Sequence, residues 1–382
     1  MASKHSFRIA LAVVLGSIAI IVGIGAFFVH RAFAYADAPH AGSGHEIEVD
    51  VTSGMSFPAV AKLLGERAVI TKPSWFRLFA MWEGKTTDVK TGKYLLKDNL
   101  TPRQVLAALV EGVKEVTVKV TLPEGKNMLE YFEIIDKAKV ASAVELEALA
   151  RDKTFLAKFA ITGDSVDGEL FPDTYQFRVG EKPATVLERL IDKHREVWND
   201  VMNKHAKAAA ALKKSMSWSD RDVLTMASIV EKEAVEPTER PRIAQVFMNR
   251  LTSPTFKPRR LETDPTIRYG CLVPTVKSAA CKEWIDGCVK QGKQAGCDRL
   301  HAAQLHDEDN AYNTYTHDGL PPGPISNPGR ASIEATLEPD GSDYLFFVAT
   351  SKGSRSHAFA KTVAEHEKNV QRYVSGDSSG AP

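Results

Sequence analysis

The chain carries almost no net charge: among 382 residues, 49 basic and 48 acidic side chains leave a balance of +1. A surface without a dominant sign exerts no long-range pull on nucleic acid or anionic lipid, which speaks against a nucleic-acid role. Cysteine is scarce, with only Cys271, Cys281, Cys288 and Cys297. No two of them have the two-residue spacing of a zinc knuckle. The sequence also lacks a glycine-rich phosphate loop, a nucleophile elbow and a histidine pair in a metalloprotease pattern. Phosphoryl transfer, serine-nucleophile chemistry and zinc proteolysis lose the groups they need, and no cofactor or metal is expected. Internal repeats are missing, and low complexity is confined to Ala208–Ala211 and the polar tail at 374–382.

What is present begins with an apolar run. Residues Ile9–Val29 are uncharged and rich in Ile, Val, Leu and Ala. At about 1.5 Å per residue they match a bilayer core of about 30 Å. Lys4 and Arg8 precede the run, and His30 and Arg31 follow it. That bias points to residues 1–8 in the cytoplasm and an exported remainder. Ala34-Tyr35-Ala36 offers a signal-peptide cleavage site, but the run exceeds a signal core of roughly 7–15 residues, so a retained anchor is expected.

A linker at 30–44 holds Pro39, Gly42 and Gly44. Residues 45–113 then read as a compact module in the order strand, helix, helix, strand, helix. Its first strand is Glu46–Val51, its second Gly92–Leu96, and Thr101 caps its last helix. Residues 114–373 mix strands and amphipathic helices, so the fold class is α+β. Polar residues 374–382 read as a disordered tail.

The most informative helix starts at Ser219, with Asp222 in a capping-box position, and ends before Pro237. Near its end stand Glu231 and Glu233. Two residues apart on a helix, they point about 200° away from each other and cannot act as a side-by-side pair. Glu233 shares a face with Met226, Ile229 and Val230, where desolvation would raise its pKa as a general acid requires. Glu231 shares a face with Leu224, Ala227 and Ser228, and is placed to buttress the site or pair with Arg240. Two ordinary surface glutamates are the bland alternative, and the favoured one from this segment alone.

Asp264, after Thr263 and before Pro265, reads by default as part of a hydrogen-bonded turn. Tyr312-Asn313-Thr314-Tyr315 precedes a Pro/Gly-rich loop at Gly319–Ile325. Amide, hydroxyl and aromatic groups there suit the lining of a sugar cleft, with a loop held for packing as the alternative. In an exported domain, Cys271, Cys281, Cys288 and Cys297 are expected to form two disulfides stapling a loop-rich insertion at 271–309. Three pairings are open, and a metal site is the minor alternative.

Taken in order, these segments resemble the endolytic murein transglycosylase (YceG-like) family. The resemblance rests on Met226–Glu233, Val246–Leu251, Thr263–Thr266, Tyr312–Tyr315, Gly319–Ile325 and Asn327-Pro328-Gly329. Phe171–Tyr175, Tyr344–Ala349, His357 and Phe359 add to it. It implies a single-pass inner-membrane anchor over 9–29, a LysM-like module at 45–113 and a periplasmic catalytic domain at 114–373. It names Glu233 as the catalytic acid/base, with Glu231, Thr263 and Asp264 in support and Tyr312, Asn313, Thr314 and Tyr315 on substrate. The implied substrate is peptidoglycan, cut to leave 1,6-anhydro ends, with peptidoglycan synthases as further partners by family analogy. Two departures stand out: Ala234 replaces the hydroxyl residue that often follows the catalytic Glu, and the cysteine-bearing stretch is long. Competing readings are a lysozyme-like hydrolase, with Asp264 or Asp173 placing a water, and a non-catalytic glycan-binding scaffold.

Overall fold

A computed structural model describes residues 2–39, 41–113, 116–290, 299–351 and 354–373. Cys297 and the tail at 374–382 lie outside the described residues. The chain divides into two compact units, 1–115 and 116–382.

The first unit is led by α1 (Ala2–Ala36), on which Val14–Ala36 is long and apolar enough to cross a membrane. The helix does not stop after Val29, as the linker reading expects. Ala32 and Ala36 are buried in the unit's core, Phe28 stacks on Trp75, and Phe33 meets Phe79 edge-on at 5.6 Å. These tertiary contacts hold residues 30–36 in a helical form that the local sequence does not demand. Then come β1 (Glu46–Val51), α2 (Phe57–Glu66), α3 (Pro73–Trp82), β2 (Gly92–Lys97) and α4 (Pro102–Glu111). This is the strand and helix order read from the sequence. β1 and β2 pair antiparallel with Val49 opposite Tyr94, both buried. α4 opens on a full capping box between Thr101 and Gln104.

The second unit opens with β3 (Thr117–Thr121), α5 (Met128–Lys137), α6 (Ala143–Ala150), α7 (Lys153–Lys158) and β4 (Thr174–Arg178). The long helices α8 (Pro183–Lys204) and α9 (Ala206–Met216) lead to α10 (Asp220–Glu233) and α11 (Arg240–Thr252). Next are α12 (Asp264–Leu272), α13 (Ala279–Lys290), α14 (Ala302–Leu305) and α15 (Arg330–Leu337). The chain closes with β5 (Phe346–Ala349), β6 (His357–Ala360) and α16 (Val363–Tyr373). β3 pairs with β4 and β5 with β6, both antiparallel. The four residues of β6, His-Ala-Phe-Ala, are too short a run to show alternation without their partner strand.

Everything that positions the site converges on α10. Ser219 and Asp222 close its capping box at the start, which fixes where the helix begins. Val223 through Val230 are all buried, so its middle is core on every side and only its two ends reach solvent. It packs against α11, α12 and α15. In the cysteine-bearing stretch, Cys271 on α12 is bonded to Cys281 on α13. No described cysteine is free.

Candidate functional site

The last turn of α10 splits its two glutamates as helical geometry requires. Glu231 turns toward α15. Its carboxylate accepts from Arg240 Nη2 at 3.3 Å, from the Gly329 amide at 3.0 Å and from Ser332 Oγ at 2.7 Å. Arg240 Nε in turn donates to Ser332 Oγ at 3.0 Å, and both side chains of the ion pair are nearly buried. A Cβ at Gly329 would meet only the Glu124 carboxyl, the movable end of a half-exposed side chain. The cluster ties α10, α11 and α15 together and uses the oxygens of Glu231 for that purpose.

Glu233 turns toward the start of α12 and is half-buried, with Met226, Ile229 and Val230 fully buried behind it. The Thr263 hydroxyl donates to its Oε1. Burial raises the carboxyl's pKa above the usual range, and the nearby charge of Asp264 adds to the rise. The Thr263 bond and the positive fields of His357 and Arg250 oppose it without cancelling it. A carboxyl that keeps its proton to higher pH, at the open end of an apolar helix, is equipped to give that proton away.

Thr263 is set with care. It stands at the N-cap of α12, but its hydroxyl does not cap the helix; it goes to Glu233 instead. Its amide donates to Thr314 Oγ1 at 3.1 Å, and the Thr266 and Thr314 hydroxyls share a 2.9 Å bond. Next to it, Glu262 holds a left-handed backbone with φ +51°, a conformation that costs about 1–3 kcal/mol in a residue other than glycine. Arg250 braces the same loop from below, donating to the carbonyls of Leu261 and Leu345. Asp264 is exposed beside Glu233, and the Tyr315 hydroxyl donates to it at 2.9 Å.

The four residues expected to touch sugar separate in space, and that expectation is corrected in part. Asn313 is fully buried; its amide nitrogen donates to the carbonyls of Gln304, Leu305 and Asp307, leaving nothing for a ligand. Thr314 is also buried and serves Thr263. Tyr312 packs against Tyr269 with the rings tilted at 4.8 Å, and lines a separate cavity of about 170 Å³ with Arg151 and Arg221. Only Tyr315 comes to the Glu233–Asp264 edge.

Sequence reasoning missed two groups. Arg250 is buried, and its signal was the Val246–Leu251 segment in which it sits. Asp167, 2% exposed, accepts from the Met128 amide at 3.0 Å, Asn327 Nδ2 at 3.2 Å and Tyr269 OH at 2.9 Å. Burial pushes its carboxyl up to about 7, the hydrogen bond from Tyr269 opposing that rise. It bolts the Asn327-Pro328-Gly329 loop to the α5 N-terminus and α12. Among the described residues no cluster of three or more His, Cys, Asp and Glu could hold a metal ion.

The sequence profile of the YceG-like family matches residues 49–372. The chain belongs to the YceG-like family. It is 30% identical over 343 residues to the endolytic murein transglycosylase of Bacillus subtilis, covering 86% of this chain and 85% of that one. A second relative, the endolytic murein transglycosylase of Streptococcus pneumoniae D39, is 26% identical over 361 residues. The alignment spans 87% of this chain and 59% of that longer one. A crystal structure of a yceG-like protein from Listeria monocytogenes shares 27% identity at a TM-score of 0.52, over 85% of this chain and 99% of that one. In this YceG-like chain, segments far apart in sequence meet through the bonds around Glu233: the end of α10, Arg250 of α11, Thr263-Asp264 and Thr314-Tyr315.

Proposed function

We propose that this chain is a membrane-anchored peptidoglycan lytic transglycosylase that cuts glycan strands internally, with Glu233 as its one acid/base. The observation that carries the reading is the state of Glu233: a half-buried carboxyl, raised in pKa and held in place by a single hydroxyl. The relatives' names supply the substrate class.

In the proposed reaction Glu233 protonates the glycosidic oxygen between N-acetylmuramic acid and N-acetylglucosamine. The C1–O bond breaks as an oxocarbenium-like state develops. The resulting Glu233 carboxylate takes the proton of the muramoyl C6 hydroxyl, whose oxygen closes on C1. The product is a 1,6-anhydro end, the proton lost by the acid is regained, and no water is consumed. Thr263 aims the carboxyl. Asp264 and Tyr315 stand beside the developing positive charge, and Glu231 secures the helix end through Arg240. Part of Glu233's advantage is then electrostatic, since a carboxyl that has just lost its proton stabilises a neighbouring cation.

The strand, helix, helix, strand order of the first unit fits a LysM-like module, which would hold glycan near the site. α1 fits a single-pass anchor in the inner membrane with the catalytic unit on the periplasmic side. Loss of Ala32, Phe33 and Ala36 by cleavage after residue 36 would strip part of that unit's core, which supports a retained helix. Peptidoglycan synthases are the partners such an enzyme would act beside.

Asp264 keeps one rival in view. It is a carboxylate at the edge of the same site, where a lysozyme-like hydrolase would place a water or trap the cation. Asp173 is exposed in the turn before β4, where its side chain accepts from the Thr174 amide. Mass spectrometry of products released from sacculi by the detergent-solubilised chain decides between them. Anhydromuramoyl ends that vanish in Glu233→Gln support the proposal, whereas reducing ends would replace it with hydrolysis. Sacculus binding without release from either protein would leave a scaffold.

A further inference from the structure

Beside the glutamate lies a groove that the cleavage chemistry does not use. It encloses about 330 Å³ and is bounded by the N-terminal part of α5, the end of α10 and one face of α12. Its near end is formed by Lys232 and Pro265, the sequence neighbours of Glu233 and Asp264. From there Pro265, Arg268, Tyr269 and Leu272 line it at the spacing of a single helical stripe. Two helical turns carry it about 10 Å away from the glutamate, the span of roughly three extended residues.

The lining has two characters. Leu129, Leu272, Val273 and Ile325 give the lining apolar surface, while Lys232, Arg268, Glu130 and Glu133 give it charge of both signs. A glycan backbone is mostly neutral: its hydroxyls can bond these four side chains but leave their charges unmatched. A short peptide with aliphatic side chains and free carboxylate and ammonium groups matches both characters. Peptidoglycan carries such a peptide on the lactyl group of muramic acid, the sugar whose C1 bond is cut.

We infer that this groove holds the stem peptide of the muramoyl residue being cleaved, with Lys232 and Arg268 taking its carboxylates. The inference rests on the transglycosylase reading for its substrate. Lys232 is already anchored, donating to the Gly125 carbonyl at 3.0 Å, so its ammonium is positioned before any ligand arrives and keeps further N–H donors for one. Glu130 is likewise set by Lys126 at 2.7 Å and by its bond to the Asn127 amide. A preset rim loses little side-chain freedom on binding. The groove makes the enzyme selective for peptide-bearing strand over stripped strand, which ties where it cuts to the action of amidases.

The test uses the full chain in the Glu233→Gln background, so that it reads binding and not bond cleavage. Its probes are purified glycan strands with their stem peptides intact and the same strands after amidase treatment. Peptide-bearing strands are expected to bind at least about tenfold tighter, the worth of one charge-assisted hydrogen bond. Adding Lys232→Ala and Arg268→Ala should bring the two affinities together, and Lys232→Arg with Arg268→Lys should retain most of the difference. Equal binding of both strands, or a preference unchanged in the double alanine variant, overturns the groove assignment. Either outcome leaves the identity of the product ends, and so the transglycosylase reading, to be judged separately.

Discussion

The two sides of α10 end in the same residue type and do opposite things. On the α15 side, Glu231 meets an arginine, an amide and a hydroxyl, and its oxygens are taken. On the α12 side, Glu233 meets one threonine hydroxyl with apolar side chains at its back. The difference is how many donors the fold supplies. A carboxylate surrounded by donors ties elements together, while one left nearly alone in a desolvated position retains its proton and can pass it on. Arg240 and Arg250 repeat the contrast, the first bound to the structural glutamate, the second donating to the Leu261 carbonyl in the loop that carries Thr263 and to the Leu345 carbonyl beside β5.

The sharpest way to break the comparison is to neutralise each glutamate in turn. Glu233→Gln should lower the yield of anhydromuramoyl ends by about 10²–10⁴-fold, the usual worth of a positioned general acid. Its melting temperature should stay near that of the parent, because the glutamine carbonyl can still accept from the Thr263 hydroxyl. Residual activity above a tenth of the parent's would remove Glu233 from the proposed role. Glu231→Gln should do the reverse in kind, leaving the nearly buried Arg240 with only the more distant Glu124 as counter-charge, at a cost of up to about 3 kcal/mol. Urea denaturation measures that loss; a variant as stable as the parent would mean the α15 side is not the brace described.

How much of this contrast could be read before the structure? The opposed directions of Glu231 and Glu233 follow from helical periodicity alone, and so does the apolar face behind Glu233. Ser219 with Asp222, and Thr101 as a cap, announced two helix starts in a few letters each. What escaped the sequence is where polar groups point. Asn313 and Tyr315 stand two residues apart in one polar, aromatic stretch, yet one amide is buried against three carbonyls while the phenol reaches Asp264. That choice is made by distant segments, Gln304–Asp307 in one case and α12 in the other, and no local pattern encodes it. Asp167 stayed hidden for the same reason. Its partners come from α5, α12 and the loop at Asn327, and a lone Asp before a glycine reads as an ordinary turn. Likewise α1 runs through residue 36 because α3 lies against it.

A smaller effect probes the loop that aims Glu233. Thr263→Val keeps shape but removes the hydroxyl, and should lower activity about tenfold, the value of a hydrogen bond to a charged group. Thr263→Ser should restore most of it. If valine is as active as threonine, the hydroxyl is not what positions the carboxyl, and the N-cap position at α12 is merely structural.

The finest test is the pH profile, where the two neighbours of Glu233 act with opposite sign. A general acid works while protonated, so activity should hold at low pH and fall as pH rises through the raised pKa of Glu233. The Thr263 hydroxyl bonds best to the ionised form and so lowers that pKa; removing it in Thr263→Val should move the falling limb to higher pH. Asp264 repels the ionised form and raises the pKa; Asp264→Asn should move the limb to lower pH. Measuring kcat/KM against pH for the parent and both variants reads these shifts on the free enzyme. Shifts in the same direction, or a limb that ignores both changes, would mean that a group other than Glu233 gives up the proton.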